Sequence, residues 1–365
     1  MARPGLTAHD CGVDTFASLS RRAQLSTLRR LGRNALTRYG VEDARLTLQR
    51  HEQNTTFRVD TRGGPYLLRM NRPGLHTRET VASEIAWLAA LRRDTDLGVP
   101  EPVAARDGSL AIVASQPAVS EPRVCVLLRW LDGRFVDRGL GPSHLVRVGS
   151  LAAELQSHAA AWAPPRDFVR PRTTTLTNAA KATSRARTAV RDGEHPTRED
   201  ADQALRLVET VLAREASTLV ATAIEIVCAS TRTLSKETAG FGLIHGDLHY
   251  ENVLFHRGEA HAIDFDDCGW GFHLYDLAVT LSELADRPGY EELRAALLDG
   301  YTRVRPLPED HATHLDALIL LRRLQLLLWI VESREHPAFS ERWRRWARDE
   351  LNAIATLVAE PAGAG

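Results

Sequence analysis

"LIHGDLHYENVLFHRGEAHAIDFDD", residues 243–267, decides how this chain is read. Two apolar runs, "VLF" and "AHAI", flank the turn signal "HRGEA", which predicts a short hairpin. We expect a loop to follow a helix and lead into that hairpin. Asp247 and Asn252 stand five residues apart in the loop, and Asp264 follows twelve later at the end of the second strand. Pairing "HAIDF" back on "VLF" returns Asp264 close to Asn252. Three oxygen-bearing side chains, two of them acidic, then gather at one end of a hairpin. Magnesium takes few, hard oxygen ligands and completes its octahedron with substrate phosphates. A carboxamide and one carboxylate can hold it, leaving the other carboxylate to take a proton from an attacking hydroxyl, which is the arrangement of phosphoryl transfer. Asp and Asn also favour plain turns. The spacing and the flanking apolar runs speak against that reading alone.

"HGDLHYENVLF" followed by "IDFDD" resembles the aminoglycoside phosphotransferase and choline kinase-like family. Within it, "HGDLHYEN…IDFDDCGWGFHLYDLA" is most similar to the branch of type II homoserine kinases and a bacterial stress-response kinase. The resemblance runs from about Glu52 to the C-terminal helices and is sharpest at 243–277. It implies an α+β, bilobal, protein-kinase-like fold. Residues 1–130 would form a nucleotide-binding lobe, with a small mixed β-sheet, one internal helix and an N-terminal helix. Residues 131–365 would form a larger, mostly helical lobe with the catalytic loop and acceptor site. Carried over, Asp247 is the catalytic base, and Asn252 and Asp264 are magnesium ligands. ATP or GTP is the co-substrate. Asp276 in "YDLA" braces the loop backbone, and His245 is a buried anchor. Asp266 stands behind the magnesium ligands, Asp267 faces the acceptor, and His249 and Glu251 lie near it.

A kinase also needs a cation on the phosphates, steadied by a glutamate. Arg69 in "PYLLRM" takes that place, where the family usually has lysine. Glu84 lies three after Val81, four before Leu88 and seven before Leu91, so it shares the apolar stripe of its helix. A carboxylate facing a core is costly unless paired, and Arg69 is the expected partner. The nucleotide-covering loop is "HEQNTTF", without glycine, offering Asn54, Thr55 and Thr56. The hinge is "LLRWLDG", with backbone groups of Arg129, Trp130 and Leu131 at an adenine edge.

Elsewhere, helical spacing covers 14–39 and 77–93. Residues 46–70 read as a hairpin or meander with an "RGG" turn, and "GVPEPVAARDGSLAIVA" and "PRVCVLLRW" as strands. From about 143 the pattern is helical apart from 240–275, and 165–200 is a loop-rich insertion. The chain has 365 residues, 44% hydrophobic and 25% charged, with a net charge of -1. That balance gives no drive toward nucleic acid or an anionic membrane. Four cysteines without CxxC spacing, and a start lacking a signal peptide's apolar core, fit the cytoplasm. "LDALILLRRLQLLLWIV" is broken by Arg322 and Arg323, so it reads as a core helix and not a membrane span. Trp343 and Trp346 in "ERWRRWAR" are expected to pack inward, and His256 and His261 to be solvated.

"GDLH" also contains the D-x-H fragment of metallophosphoesterases, but the later Gly-Asn-His run they need is missing. A nucleotide-binding pseudokinase scaffold is the reading outside enzymology, favoured only by Arg69 and the glycine-free loop. For the acceptor, a small hydroxylated metabolite stands against an aminoglycoside or a protein serine. Arg322 and Arg323 would oppose an acidic, polycation-binding pocket and suit a carboxylate-bearing acceptor.

Overall fold

A computed structural model describes residues 16, 19–74, 76–116, 119, 121–183, 195–234, 240–336 and 339–359. The chain divides into two compact units. One is Met1–Gly74 with Val103–Leu128, and the other is Leu75–Pro102 with Arg129–Gly365. Residues 75–102, which the sequence reading groups with the first 130, therefore belong to the second unit.

In the first unit, helix α1 (Arg21–Arg38) starts where the Ser20 hydroxyl accepts from Ala23 N at 3.3 Å. The start expected at residue 14 lies outside the described residues. Residues 1–15, 17 and 18 lie outside the described set. Strands β1 (Arg45–His51), β2 (Thr55–Thr61), β3 (Gly64–Met70), β4 (Ala111–Ala114) and β5 (Arg123–Arg129) form one sheet in the order β1-β2-β3-β5-β4. A mixed sheet was expected, but β1–β2, β2–β3 and β4–β5 pair antiparallel. Their short connections leave no room for a crossover. Leu28, Leu31, Ala35 and Leu36 of α1 bury themselves in one cluster with Phe57, Val59, Leu68 and Met70. The strand expected from Gly98 onward is confined to β4. Pro100 and Pro102 remove ladder donors from the earlier part.

The second unit opens with α2 (Arg78–Asp94), begun by a reciprocal cap. Thr80 N donates to Thr77 Oγ1 at 3.3 Å, and Thr77 N donates to Thr80 Oγ1 at 3.0 Å. Trp87 of α2 meets Phe265 edge to face at 5.5 Å. The Ser83 hydroxyl accepts from Val169 N at 2.8 Å. These contacts tie α2 to this unit. There follow α3 (Pro142–Ala161), α4 (Asn178–Thr183), α5 (Arg198–Val211), α6 (Arg214–Leu234) and four short strands: β6 (Phe241–Ile244), β7 (Val253–His256), β8 (Glu259–Ala262) and β9 (Gly269–Phe272). Helices α7 (His273–Ser282), α8 (Tyr290–Thr302), α9 (His311–Glu332) and α10 (Trp343–Ala359) complete it. The expected insertion at 165–200 holds α4 and the start of α5, and its residues 184–194 lie outside the described set.

Helices α3 and α8 cross at two glycines. A Cβ on Gly149 would stand 2.0 Å from Leu297 O, and one on Gly300 would stand 1.9 Å from Val146 O. Helix α9 is the core helix expected, burying Leu315, Leu318, Leu321, Leu324, Leu328 and Val331. Among the described residues no helix is long and apolar enough to cross a membrane. Trp343 is buried, and Trp346 lies 5.8 Å from the Phe339 ring, so both tryptophans pack inward.

Candidate active site

The loop at 245–252 leaves a strand, not the helix expected. Strand β6 pairs antiparallel with β9, Leu243 opposite Trp270. Both strands are four residues long, and neither shows the apolar–polar alternation that would have revealed it. Strands β7 and β8 form the predicted hairpin, with Val253 opposite Ala262 and His256 opposite Glu259. Ile263 N donates to Asn252 O at 2.9 Å. The ladder thus brings Asn252 beside Asp264, which is exposed and left-handed at φ 64°.

The loop backbone is held from behind by Asp276. This fully buried carboxylate accepts from Gly246 N at 2.8 Å, His245 N at 3.1 Å and Gln156 Nε2 at 3.2 Å. Tyr301 OH in turn donates to Gln156 Oε1 at 2.7 Å, and Thr280 donates to Leu248 O at 2.6 Å. Burial pushes the Asp276 carboxyl up, against the pull of His245 and the N–H donors. Gly246 has φ 80°, and a Cβ there would lie 2.6 Å from Asp267 O, so the turn requires glycine. His245 is fully buried. Its Nδ1 accepts from Asp247 N at 3.3 Å, which leaves Nε2 to donate to Ile263 O at 3.0 Å. These two bonds hold the ring between the loop and the hairpin end.

Asp247 is surrounded by donors. Asn252 Nδ2 donates to its Oδ2 and to its backbone O, both at 2.9 Å. Arg322 Nη2 of α9 donates to Oδ1 at 2.5 Å, and His249 Nε2 lies 3.4 Å from Oδ2. Burial alone would raise the Asp247 carboxyl, but the Arg322 guanidinium and then His249 outweigh it and hold it well below the usual carboxylate range. Burial likewise opposes protonation of His249, and the bond to Asp247 prevails, raising it. Tyr275, pushed up to about 12 by burial, has its hydroxyl on Gln325 Oε1 and lies in the field of Arg322.

With its NH2 turned to Asp247, Asn252 has its Oδ1 left over, without a hydrogen-bond donor among the described residues. That oxygen and the exposed Asp264 carboxylate at the next ladder position form a hard-oxygen pair of the kind magnesium takes. No group of three or more His, Cys, Asp or Glu suited to a metal occurs among the described residues. The ion would need substrate oxygens to complete its shell.

Residues 47–314 match the phosphotransferase enzyme family. The chain belongs to this family. It is therefore a phosphotransferase, an enzyme with a hydroxyl acceptor, and its fold is protein-kinase-like. A microcompartment-associated aminopropanol kinase is 26% identical, with a TM-score of 0.74 over 91% of this chain and 98% of that one. An amicoumacin kinase in complex with AMP-PNP, Ca2+ and Ami is 16% identical, with a TM-score of 0.65 over 92% and 95% of the two chains. An uncharacterized protein of Deinococcus radiodurans is 29% identical over 296 residues, 78% of this chain and 77% of that one.

Two residues of the phosphotransferase that the sequence reading missed organise the turn after Asp264. Arg170, fully buried, donates to the carbonyls of Thr80 at 2.8 Å, Asp266 at 2.5 Å and Cys268 at 2.5 Å. His76 Nε2 lies 3.7 Å from the buried Asp266 carboxylate. Burial lowers His76, ahead of the opposing pull of Asp266. Asp267 is paired with Lys181 of α4, while Glu251 is exposed.

Arg322 does not stand open to an acceptor carboxylate, because it is committed to Asp247. Arg323 donates to Glu350 at 3.2 Å and to Ser282 O. The two arginines expected to suit a carboxylate-bearing acceptor are thus both engaged within the protein. Glu332 accepts from Asn178 N at 3.2 Å, and Trp329 packs on Phe339 at 5.2 Å. His261 is half-buried. A Cβ on Gly98 would lie 2.1 Å from its ring.

In the first unit, Arg69 is buried on β3 opposite Thr56. Asn54 Oδ1 accepts from Asn71 Nδ2 and Arg72 N, both at 3.4 Å. Thr55 is buried, with its hydroxyl 2.9 Å from His51 Nδ1. In the second unit Glu84 is buried on α2. Arg129 N donates to Glu101 O at 2.8 Å, and Trp130 and Leu131 are half-buried.

Proposed function

We propose that this phosphotransferase carries the γ-phosphoryl group of ATP or GTP to the hydroxyl of a small metabolite, with Asp247 as base and magnesium held by Asn252 and Asp264. One observation carries the reading. An ionised Asp247, oriented by Asn252, Arg322 and His249, stands at the hairpin end where the ladder joins Asn252 to Asp264. Bound there, the ion would neutralise charge on the phosphate oxygens. Asp247 accepts the hydroxyl's hydrogen bond and aims its oxygen in line with the transferring group. A loose transition state asks little proton removal of the base at first, so a carboxylate of low basicity suits an orienting role.

The nucleotide analogue and divalent ion named with the amicoumacin kinase support nucleotide and metal use. The aminopropanol kinase, matched over 98% of its length, supports small amino alcohols as the first acceptors to try. We assign Arg69, Glu84, Asn54, Thr55, Thr56, Arg129, Trp130 and Leu131 to nucleotide binding, and His249, Glu251, Asp266 and Asp267 to the surroundings of acceptor and metal. Each is tested by its own effect on nucleotide or acceptor KM. The free thiols of Cys125, Cys228 and Cys268 support a cytoplasmic location, to be checked by cell fractionation.

The deciding experiment follows ATP and GTP consumption with magnesium over amino alcohols, sugars, aminoglycosides and serine peptides. Turnover confined to aminoglycosides or serine peptides would replace the small-metabolite acceptor. In the same assay Asp247→Asn should lose roughly 10²–10⁴-fold in rate while nucleotide binding persists. Full activity in that variant would remove Asp247 as base.

A further inference from the structure

A carboxylate offers about four lone-pair positions, two on each oxygen. On Asp247, Asn252 Nδ2 and His249 Nε2 address Oδ2, and Arg322 Nη2 takes one position on Oδ1. One position on Oδ1 is left, beside the guanidinium. Arg322 is itself closely held, its side chain 13% exposed. The residues that follow it secure α9. Arg323 ties the helix to Glu350 and to Ser282 O, and Gln325 Nε2 donates to Thr173 O at 2.6 Å and Thr175 O at 2.7 Å. Arg322 Nε is buried with no hydrogen-bond partner among the described residues. The side chain thus gives up one donor to keep another on Asp247, as expected if that contact sets its conformation.

We propose that Arg322 is a positioning residue for phosphoryl transfer, fixing the Asp247 carboxylate so that the remaining Oδ1 lone pair faces the acceptor hydroxyl. This rests on Asp247 being the base. In this role the arginine need touch neither nucleotide nor acceptor. It acts through the angle at which the carboxylate meets the hydroxyl, and a misplacement of about 1 Å can cost on the order of 10²-fold in rate.

The test compares Arg322→Met, which keeps the stem and removes the fork, with Arg322→Lys, which returns a donor and a charge to Oδ1. Arg322→Met should lower kcat by about 10²-fold with nucleotide KM within about twofold, and Arg322→Lys should recover much of the loss. A structural role alone would move stability and KM without that split. Far-UV circular dichroism and nucleotide titration report whether each variant is folded. If Arg322→Met does not fold, Arg322→Gln against Arg322→Lys makes the same comparison. A wild-type kcat without the guanidinium overturns the proposal, as does a loss that lysine does not relieve. Asp247→Asn separates the two readings. If it is fully active, the base assignment and this proposal fall together. If it is inactive while Arg322→Met matches wild type, only this proposal falls.

Discussion

Asp276→Ala removes, in one substitution, the acceptor of three buried hydrogen bonds, those from His245 N at 3.1 Å, Gly246 N at 2.8 Å and Gln156 Nε2 at 3.2 Å. Each buried donor left without a partner costs about 1–3 kcal/mol, which would sum to about 3–9 kcal/mol. Against that, alanine relieves the desolvation of a fully buried carboxylate, several kcal/mol, and a water can enter the vacated space and accept from some of the donors. The net expected loss is about 3–5 kcal/mol, the range for breaking a buried charged network. Total stabilities are about 5–15 kcal/mol, so this is a large fraction. At about 1.3 °C per kcal/mol for a chain of this size, Tm should fall by about 4–7 °C. Urea and thermal unfolding followed by circular dichroism give both numbers. Asp276→Asn keeps the volume and one acceptor oxygen but turns an NH2 toward a donor, so its loss should be intermediate. Because the brace holds the backbone at His245 and Gly246, just before Asp247, kcat should fall in both variants. A loss below about 1 kcal/mol in the alanine variant, with unchanged kcat, would refute the reasoning.

Two further outcomes follow from the same geometry. Nucleotide affinity measured by calorimetry should rise with magnesium, and Asp264→Ala should abolish the rise. Metal-indifferent binding with no turnover on any acceptor would instead favour a nucleotide-binding scaffold. The buried thiols of Cys125 and Cys268 are both pushed up to about 12 by burial, so near neutral pH essentially none is thiolate. An aromatic disulfide reagent should label them only on unfolding, and rapid labelling of the native protein would contradict their burial.

The parts of the site legible in the sequence are those joined by short stretches of chain. Asp247 and Asn252 belong to one loop, so spacing alone places them together. Asp264 is reached by counting along a hairpin whose turn is visible in "HRGEA", because a two-residue period leaves little choice of register. The Thr77 cap and the apolar face of α9 are equally local. The strands β6 and β9 escaped because four residues with glycine carry too little pattern. The strand expected at Gly98 failed because two prolines outweighed periodicity.

The sequence by itself determined the class of chemistry: hard-oxygen side chains at kinase spacing, set in a loop and hairpin whose geometry follows from short-range rules. Only the tertiary structure decided what surrounds them. Arg322 lies 75 residues from Asp247 and Arg170 lies 96 from Asp266, and Gln156 reaches Asp276 from 120 residues away. Arg322 follows Leu315 and Leu318 at helical spacing, so the stripe argument used for Glu84 could have marked it as inward-facing. It could not have named the partner. Helix packing chooses which buried charge meets which, because a charge out of water must take whichever opposite charge or carbonyl the fold brings to it.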